Sequence, residues 1–153
     1  MNRKPYFPIF VDLSNKKILV IGGGRIAARR VKTLLDFAGQ IIVVAPEISE
    51  EIRGAAGESD NLLLNCRLYE ASDLEHADIV IVATTDHSLN EEIGKDCRKR
   101  SIPVNLSHDQ TLCDFYFPGL VKKDNIVIGV TSSGTDHAGA RAVTEQLKAI
   151  FEK

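Results

Sequence analysis

The chain has 153 residues, 44% of them apolar and 26% charged, which fits one compact domain, alone or with a small appendage, and excludes two full catalytic domains or a disordered or fibrous chain. Nineteen Lys and Arg against 21 Asp and Glu give a net charge of −2 without a long block of one sign, so nucleic acid is not an expected partner. The N-terminal apolar stretch is short and broken by Pro8 and Asp12; it makes neither a signal-peptide core nor a membrane span, and a cytoplasmic chain with no membrane partner is expected.

Ile18-Leu19-Val20-Ile21 is a continuous apolar run of the kind that forms a parallel strand covered on both faces. Gly22-Gly23-Gly24 ends it, and Arg25 to Ala38 follows with apolar residues spaced for one helix face, stopped by Gly39. Ile41 to Val44 is a second buried strand, broken by Pro46 before a polar helical segment that runs to about Gly57. The alternation continues with strands at Leu62–Leu68 and Ile79–Ala83, a helix from about Ser88 to Arg100, and a fifth strand at Ile102–Asn105. Strands separated by helices need right-handed crossovers, so the expected fold is α/β, a Rossmann-like parallel sheet. After Asp114 the rhythm changes to two strands, Phe115–Val121 and Ile126–Thr131, joined by four polar residues as a β-hairpin. A last helix, Asp136 to Phe151, carries Ala138, Ala142, Leu147, Ile150 and Phe151 with nothing after it to cover them, which points to a partner chain. The expected organisation is therefore a nucleotide domain over 1–114 and a dimerising hairpin with a helical region over 115–153. Cys66, Cys97 and Cys113 lack CxxC spacing and read as buried or inert thiols.

Gly22-Gly23-Gly24-Arg25-Ile26-Ala27 matches G-x-G-x-x-A and stands after a strand and at the opening of a helix, where the motif has mechanical meaning. Gly22 permits the tight turn, Gly24 lets a pyrophosphate approach the backbone, and Ala27 keeps the helix close to the sheet. The helix-start N–H groups then face phosphate. Pro46-Glu47 follows the second strand, where an acidic residue would hold the adenosine ribose; Glu47 is a displaced candidate, so NAD is favoured over NADP. Thr84 and Thr85 end the fourth strand, on the edge where open α/β sheets bind ligands.

The glycine loop, Ala45-Pro46-Glu47, Ala83-Thr84-Thr85-Asp86, Asn90, Asn105, Leu112-Cys113-Asp114-Phe115, Phe117-Pro118 and Thr131-Ser132-Ser133-Gly134 share an order and spacing that resembles the precorrin-2 dehydrogenase family, which includes the N-terminal part of siroheme synthase. The likeness runs from Tyr6 to about Arg141. It implies an NAD-dependent enzyme that oxidises precorrin-2 to sirohydrochlorin in siroheme biosynthesis, in some members followed by Fe2+ insertion. It also implies a homodimer built through the hairpin, with tetrapyrrole held between the nucleotide domain and that region. Where the family has an aspartate three residues after the strand-five asparagine, this sequence has His108, with the carboxylate of Asp109 one residue on. His137 replaces the family's proline after the Ser-Gly turn, and the chain ends within or just after the first helix of the family's C-terminal helical region.

The oxidation needs a hydride acceptor, which NAD supplies, and a base for the accompanying proton. His108 could be that base, since an imidazole suits proton transfer at neutral pH, while Asp109 could orient it or replace it. The plain alternative is that both residues cap the turn before a short helical segment. Asn105, Ser132, Ser133 and His137 are the candidates for substrate contact, and His108 with His137 are candidate metal ligands. A different class stays open: a catalytically impaired NAD- or tetrapyrrole-binding module.

Overall fold

The computed structural model describes residues 4–151, which form two compact units, residues 11–115 and residues 4–10 with 116–151. In the larger unit, β1 (Lys17–Ile21), β2 (Gln40–Val44), β3 (Leu62–Asn65), β4 (Ile79–Val82) and β5 (Val104–Leu106) make one sheet in the order β3-β2-β1-β4-β5. Every pairing is parallel, with Ile18 opposite both Ile41 and Ile79. Helices α1 (Arg25–Leu34), α2 (Glu50–Glu58) and α3 (His87–Lys99) supply crossovers. This is the α/β, Rossmann-like sheet expected from the apolar runs.

Ile18, Val20, Ile41, Val43, Val80 and Ile81 are almost wholly buried, and each such side chain contributes roughly 1.5–3 kcal/mol by removal from water. The register follows from that burial, because both faces of these strands are covered and their sequences are apolar without alternation. Chain order reverses between β1 and β4, which lie side by side. Ligands of open α/β sheets sit outside the carboxyl ends at this switch point. Gly22 follows β1 there and Ala83 follows β4.

Several element ends differ from the sequence expectation. The first helix closes at Leu34 and not at Ala38, with Phe37 N–H bonded to the Leu34 carbonyl in a tighter final turn. Strand three stops at Asn65 and not at Leu68, because Arg67 turns away to pair with Asp73 and a 3-10 turn over Ala71–His76 follows. Strand five begins at Val104, after Pro103, which has no N–H to give a ladder. A second short 3-10 turn, Gln110–Leu112, follows Asp109, where the capping alternative for His108 and Asp109 places a short helical segment.

The smaller unit holds an antiparallel hairpin, β6 (Gly119–Lys123) with β7 (Ile126–Val130), and α4 (His137–Phe151). Its link is two residues, Asp124-Asn125, with Asp124 at φ 50°, so Lys122 and Lys123 belong to the strand and not to the turn. Helix α4 meets the hairpin where Thr144, buried, faces Gly119; a Cβ on Gly119 would overlap the Thr144 hydroxyl. Cys97 is buried, Cys113 half-buried and Cys66 exposed, all as free thiols, and burial pushes the Cys97 thiol up to about 11. Among the described residues no helix is long and apolar enough to cross a membrane.

Candidate functional site

Each glycine of the loop has a distinct packing reason. Gly22 sits at φ 119°, a left-handed conformation, and its N–H donates to the Val44 carbonyl at 3.0 Å. A Cβ there would overlap the Ala83 carbonyl, so the turn after β1 lies directly against the end of β4. Gly23 accepts from Ser49 N–H at 2.9 Å, and a Cβ on it would overlap the Glu47 carbonyl. Gly24 differs: its backbone is extended, and a Cβ would meet nothing within 4 Å.

Gly24 is the N-cap of α1, and no side chain caps that helix. Its first N–H groups keep their hydrogen-bonding capacity, and the positive end of the helix dipole points to the open space beside Gly24. Behind them Ala27 and Ala28 are buried, small enough to hold α1 against the sheet, while Arg25 and Ile26 are exposed in the first turn. Pro46 and Glu47 are exposed beside Gly23. The Ser49 hydroxyl is buried next to this loop without a hydrogen-bond partner among the described residues. Leaving such a group unpaired costs ~1–3 kcal/mol. An open approach at Gly24, an uncapped helix start and an unpaired buried hydroxyl together fit a dinucleotide, whose phosphates and sugars would be held by Gly22, Gly23, Gly24, Arg25, Ile26, Ala27, Pro46 and Glu47.

From the end of β4 a polar network crosses to the end of β5. Thr84 Oγ1 donates to Asn90 Oδ1 at 2.5 Å, and Asn90 Nδ2 donates to the Thr84 carbonyl at 3.0 Å. Asn90, in α3, is fully buried. Its Nδ2 also lies 3.4 Å from His108 Nδ1, and the His108 ring stacks on His87 with centroids 4.6 Å apart. Thr85 is exposed at the same edge. Asp86 fixes the start of α3 by accepting from Leu89 N–H. Gly22, Thr84, Asn90 and His108 are therefore linked by successive contacts along the carboxyl edge of the sheet.

Asp109 accepts from both the N–H and the hydroxyl of Thr111 through Oδ1. These bonds, hydroxyl first, hold its carboxyl below the usual range, with the nearby His108 adding to the effect. Asp109 thus caps the 3-10 turn that follows, and His108 is oriented by Asn90. Asn105 is buried in β5 with Nδ2 donating to the Phe115 carbonyl at 2.9 Å, while among the described residues its Oδ1 and the neighbouring Ser107 hydroxyl have no hydrogen-bond partner. Burial, the largest influence, raises the Cys113 thiol that packs on Leu106.

In the smaller unit, Ser132 Oγ accepts from Asp136 N–H and Ser133 Oγ accepts from Tyr6 N–H. Both serines build the turn into α4, with Ser133 at φ 57°, yet each hydroxyl keeps its own hydrogen to donate. His137 is the exposed first residue of α4. No group of three His, Cys, Asp or Glu side chains is arranged for a metal among the described residues. Ser49 and Ser107 were missed by sequence reading, since a serine in a loop carries no pattern. The Thr84–Asn90 pair had a signal in its spacing, a strand end and a helix position six residues on.

Residues 9–119 match the family model described as "Putative NAD(P)-binding". The "Probable multifunctional siroheme biosynthesis protein HemA" of Ruminiclostridium josui is 39% identical over 152 residues, which is 94% of this chain and 28% of that protein. A "Siroheme synthase" of Neisseria meningitidis serogroup C is 36% identical over 149 residues, 95% of this chain and 30% of that protein. The chain thus spans less than a third of the length of these curated relatives. Among solved structures, "SirC, precorrin-2 dehydrogenase" superposes with a TM-score of 0.78 at 25% identity, covering 95% of this chain and 71% of that one.

Proposed function

We propose that this chain, a member of the "Putative NAD(P)-binding" family, lies with precorrin-2 dehydrogenase and siroheme synthase and oxidises precorrin-2 to sirohydrochlorin with NAD, a reading supported by the likeness to those proteins. The observation that carries this reading is the continuity of the carboxyl edge, from the open glycine turn at Gly24 through Thr84 and Asn90 to His108. Bound NAD supplies the hydride acceptor. The reaction balances as one C–H hydride passed to NAD+, giving NADH, and one proton released from the substrate.

The protein's part is to hold the coenzyme, orient the tetrapyrrole and receive that proton. Gly22 to Ala27, Pro46 and Glu47 hold the coenzyme, with Thr84 and Thr85 at its reactive end. His108 and Asp109 are the proposed catalytic pair. Asn105, Ser132, Ser133 and His137 are the proposed substrate contacts.

The same reading makes the chain a cytoplasmic homodimer assembled through β6, β7 and α4, where Ile126, Val143 and Ile150 are exposed. Sedimentation at micromolar concentration checks that assembly. The function itself is tested by anaerobic incubation of the chain with precorrin-2 and NAD+. NADH formed in step with sirohydrochlorin is expected, whereas NAD binding without NADH formation would make the chain a binding module.

A further inference from the structure

Resting on the reading of the loop after β5 as the chemical side of the site, we infer that Asn90 is a positioning residue that holds His108 in its Nε2–H tautomer. His108 then gives a hydrogen bond to the substrate and does not take its proton.

The orientation of the Asn90 amide is fixed by Thr84. The Thr84 carbonyl can only accept, so the Asn90 NH2 must face it, 3.0 Å away, and Oδ1 then receives the Thr84 hydroxyl. The second hydrogen on Nδ2 is left for His108 Nδ1, at 3.4 Å. A nitrogen that accepts a hydrogen bond must keep its lone pair, so the neutral imidazole carries its one hydrogen on Nε2. Two further constraints hold this state. Asn90 is wholly buried, so no water competes for its amide, and the His108 ring is stacked on His87 with the planes 20° apart. The groups facing the ring are Asn90 and His87 from α3 and Asp109 from its own loop.

Among the described residues Nε2 makes no hydrogen bond, so its N–H is available to a ligand. A tetrapyrrole edged with carboxylate side chains offers the matching acceptor, and a donor bound to a carboxylate gives a charge-assisted bond. Nδ1, the nitrogen that could take a proton, is turned to Asn90. The proton acceptor of the catalytic pair proposed above is then Asp109, whose Oδ1 is held by Thr111 while Oδ2 makes no hydrogen bond among the described residues.

Long-range 15N–1H correlation spectra of the unaltered chain, at a pH where His108 is neutral, read the tautomer without turnover. Nε2 protonated and Nδ1 bare is expected; the reverse overturns the inference. Asn90→Asp, whose carboxylate accepts a hydrogen from Nδ1, is expected to switch the pattern to Nδ1–H, and Asn90→Ala to mix the two forms. An unchanged pattern in a folded variant overturns the role of Asn90. In kinetics, His108→Gln keeps an N–H donor without a titrating nitrogen, so KM should rise while kcat falls by less than about tenfold, against the ~10²–10⁴-fold loss when a base is removed. A loss of kcat in that larger range overturns the donor role. Absence of NADH formation by the unaltered chain would instead refute the underlying function, and the nitrogen pattern would still report on Asn90.

Discussion

Replacing Gly24 by Asp should separate coenzyme binding from stability, with opposite signs. At this position the backbone has φ −86° and ψ −166°, open to any residue, and a new Cβ meets no atom within 4 Å. The helix it opens has no side-chain cap, and Asp is among the better N-cap residues, better than Gly by a few tenths of a kcal/mol. The folded chain should therefore be as stable as the parent, or slightly more so. The coenzyme meets the reverse situation. The carboxylate would occupy the open space over Gly24, accept the N–H groups that phosphate needs, and add a negative charge. Two unit charges at ~4 Å and an effective dielectric of about 20 repel by about 4 kcal/mol, which corresponds to ~10³-fold in Kd. Gly24→Asn, capping without charge, should lose less. Calorimetric titration with NADH beside thermal melts reads both effects. Gly22→Ala is the contrast, since it must overlap the Ala83 carbonyl at a φ of 119° and should lose stability with binding. NADH affinity of Gly24→Asp within about threefold of the parent, less than ~0.7 kcal/mol, would refute the placement of phosphate at this turn.

Asp109→Ala should lower kcat more than His108→Gln does, with NADH affinity preserved in both; the opposite order in steady-state rates would make the imidazole the proton acceptor. Gly119→Ala should destabilise the chain by about 1–3 kcal/mol through overlap with the buried Thr144 hydroxyl, and Thr144→Ala in the same chain should recover part of that loss, as a double-mutant cycle in urea would read. Asp73, held below its usual 3.8 first by hydrogen bonds from Arg67 and then by the Glu70 N–H, gives stability that is whole at neutral pH and is lost as pH falls through its lowered value. Asp73→Asn should therefore cost ~0.2–1 kcal/mol at pH 7, and the difference from the parent should vanish in melts at strongly acidic pH.

The sheet was legible because its strands are buried on both faces, so Ile18–Ile21, Ile41–Val44 and Ile79–Val82 stand out as uninterrupted apolar runs. The glycine loop was legible for a related reason. Its three glycines answer three steric demands, set by Ala83, Glu47 and an open face, and such demands leave residue identities behind. Element ends were less legible, because they depend on tertiary partners: Arg67 leaves the third strand for Asp73, and Pro103 delays the fifth. The partner of His108 was hidden most deeply. The sequence places Asp109 beside it, but Thr111 engages that carboxylate, and the ring is oriented by Asn90 from a helix eighteen residues earlier.

Anaerobic oxidation of precorrin-2 by the purified chain, followed through the absorbance of NADH, tests the central claim most directly. One NADH formed for each sirohydrochlorin, abolished by Gly24→Asp, is the expected result. Tight NADH binding with no NADH produced from authentic precorrin-2 would contradict it.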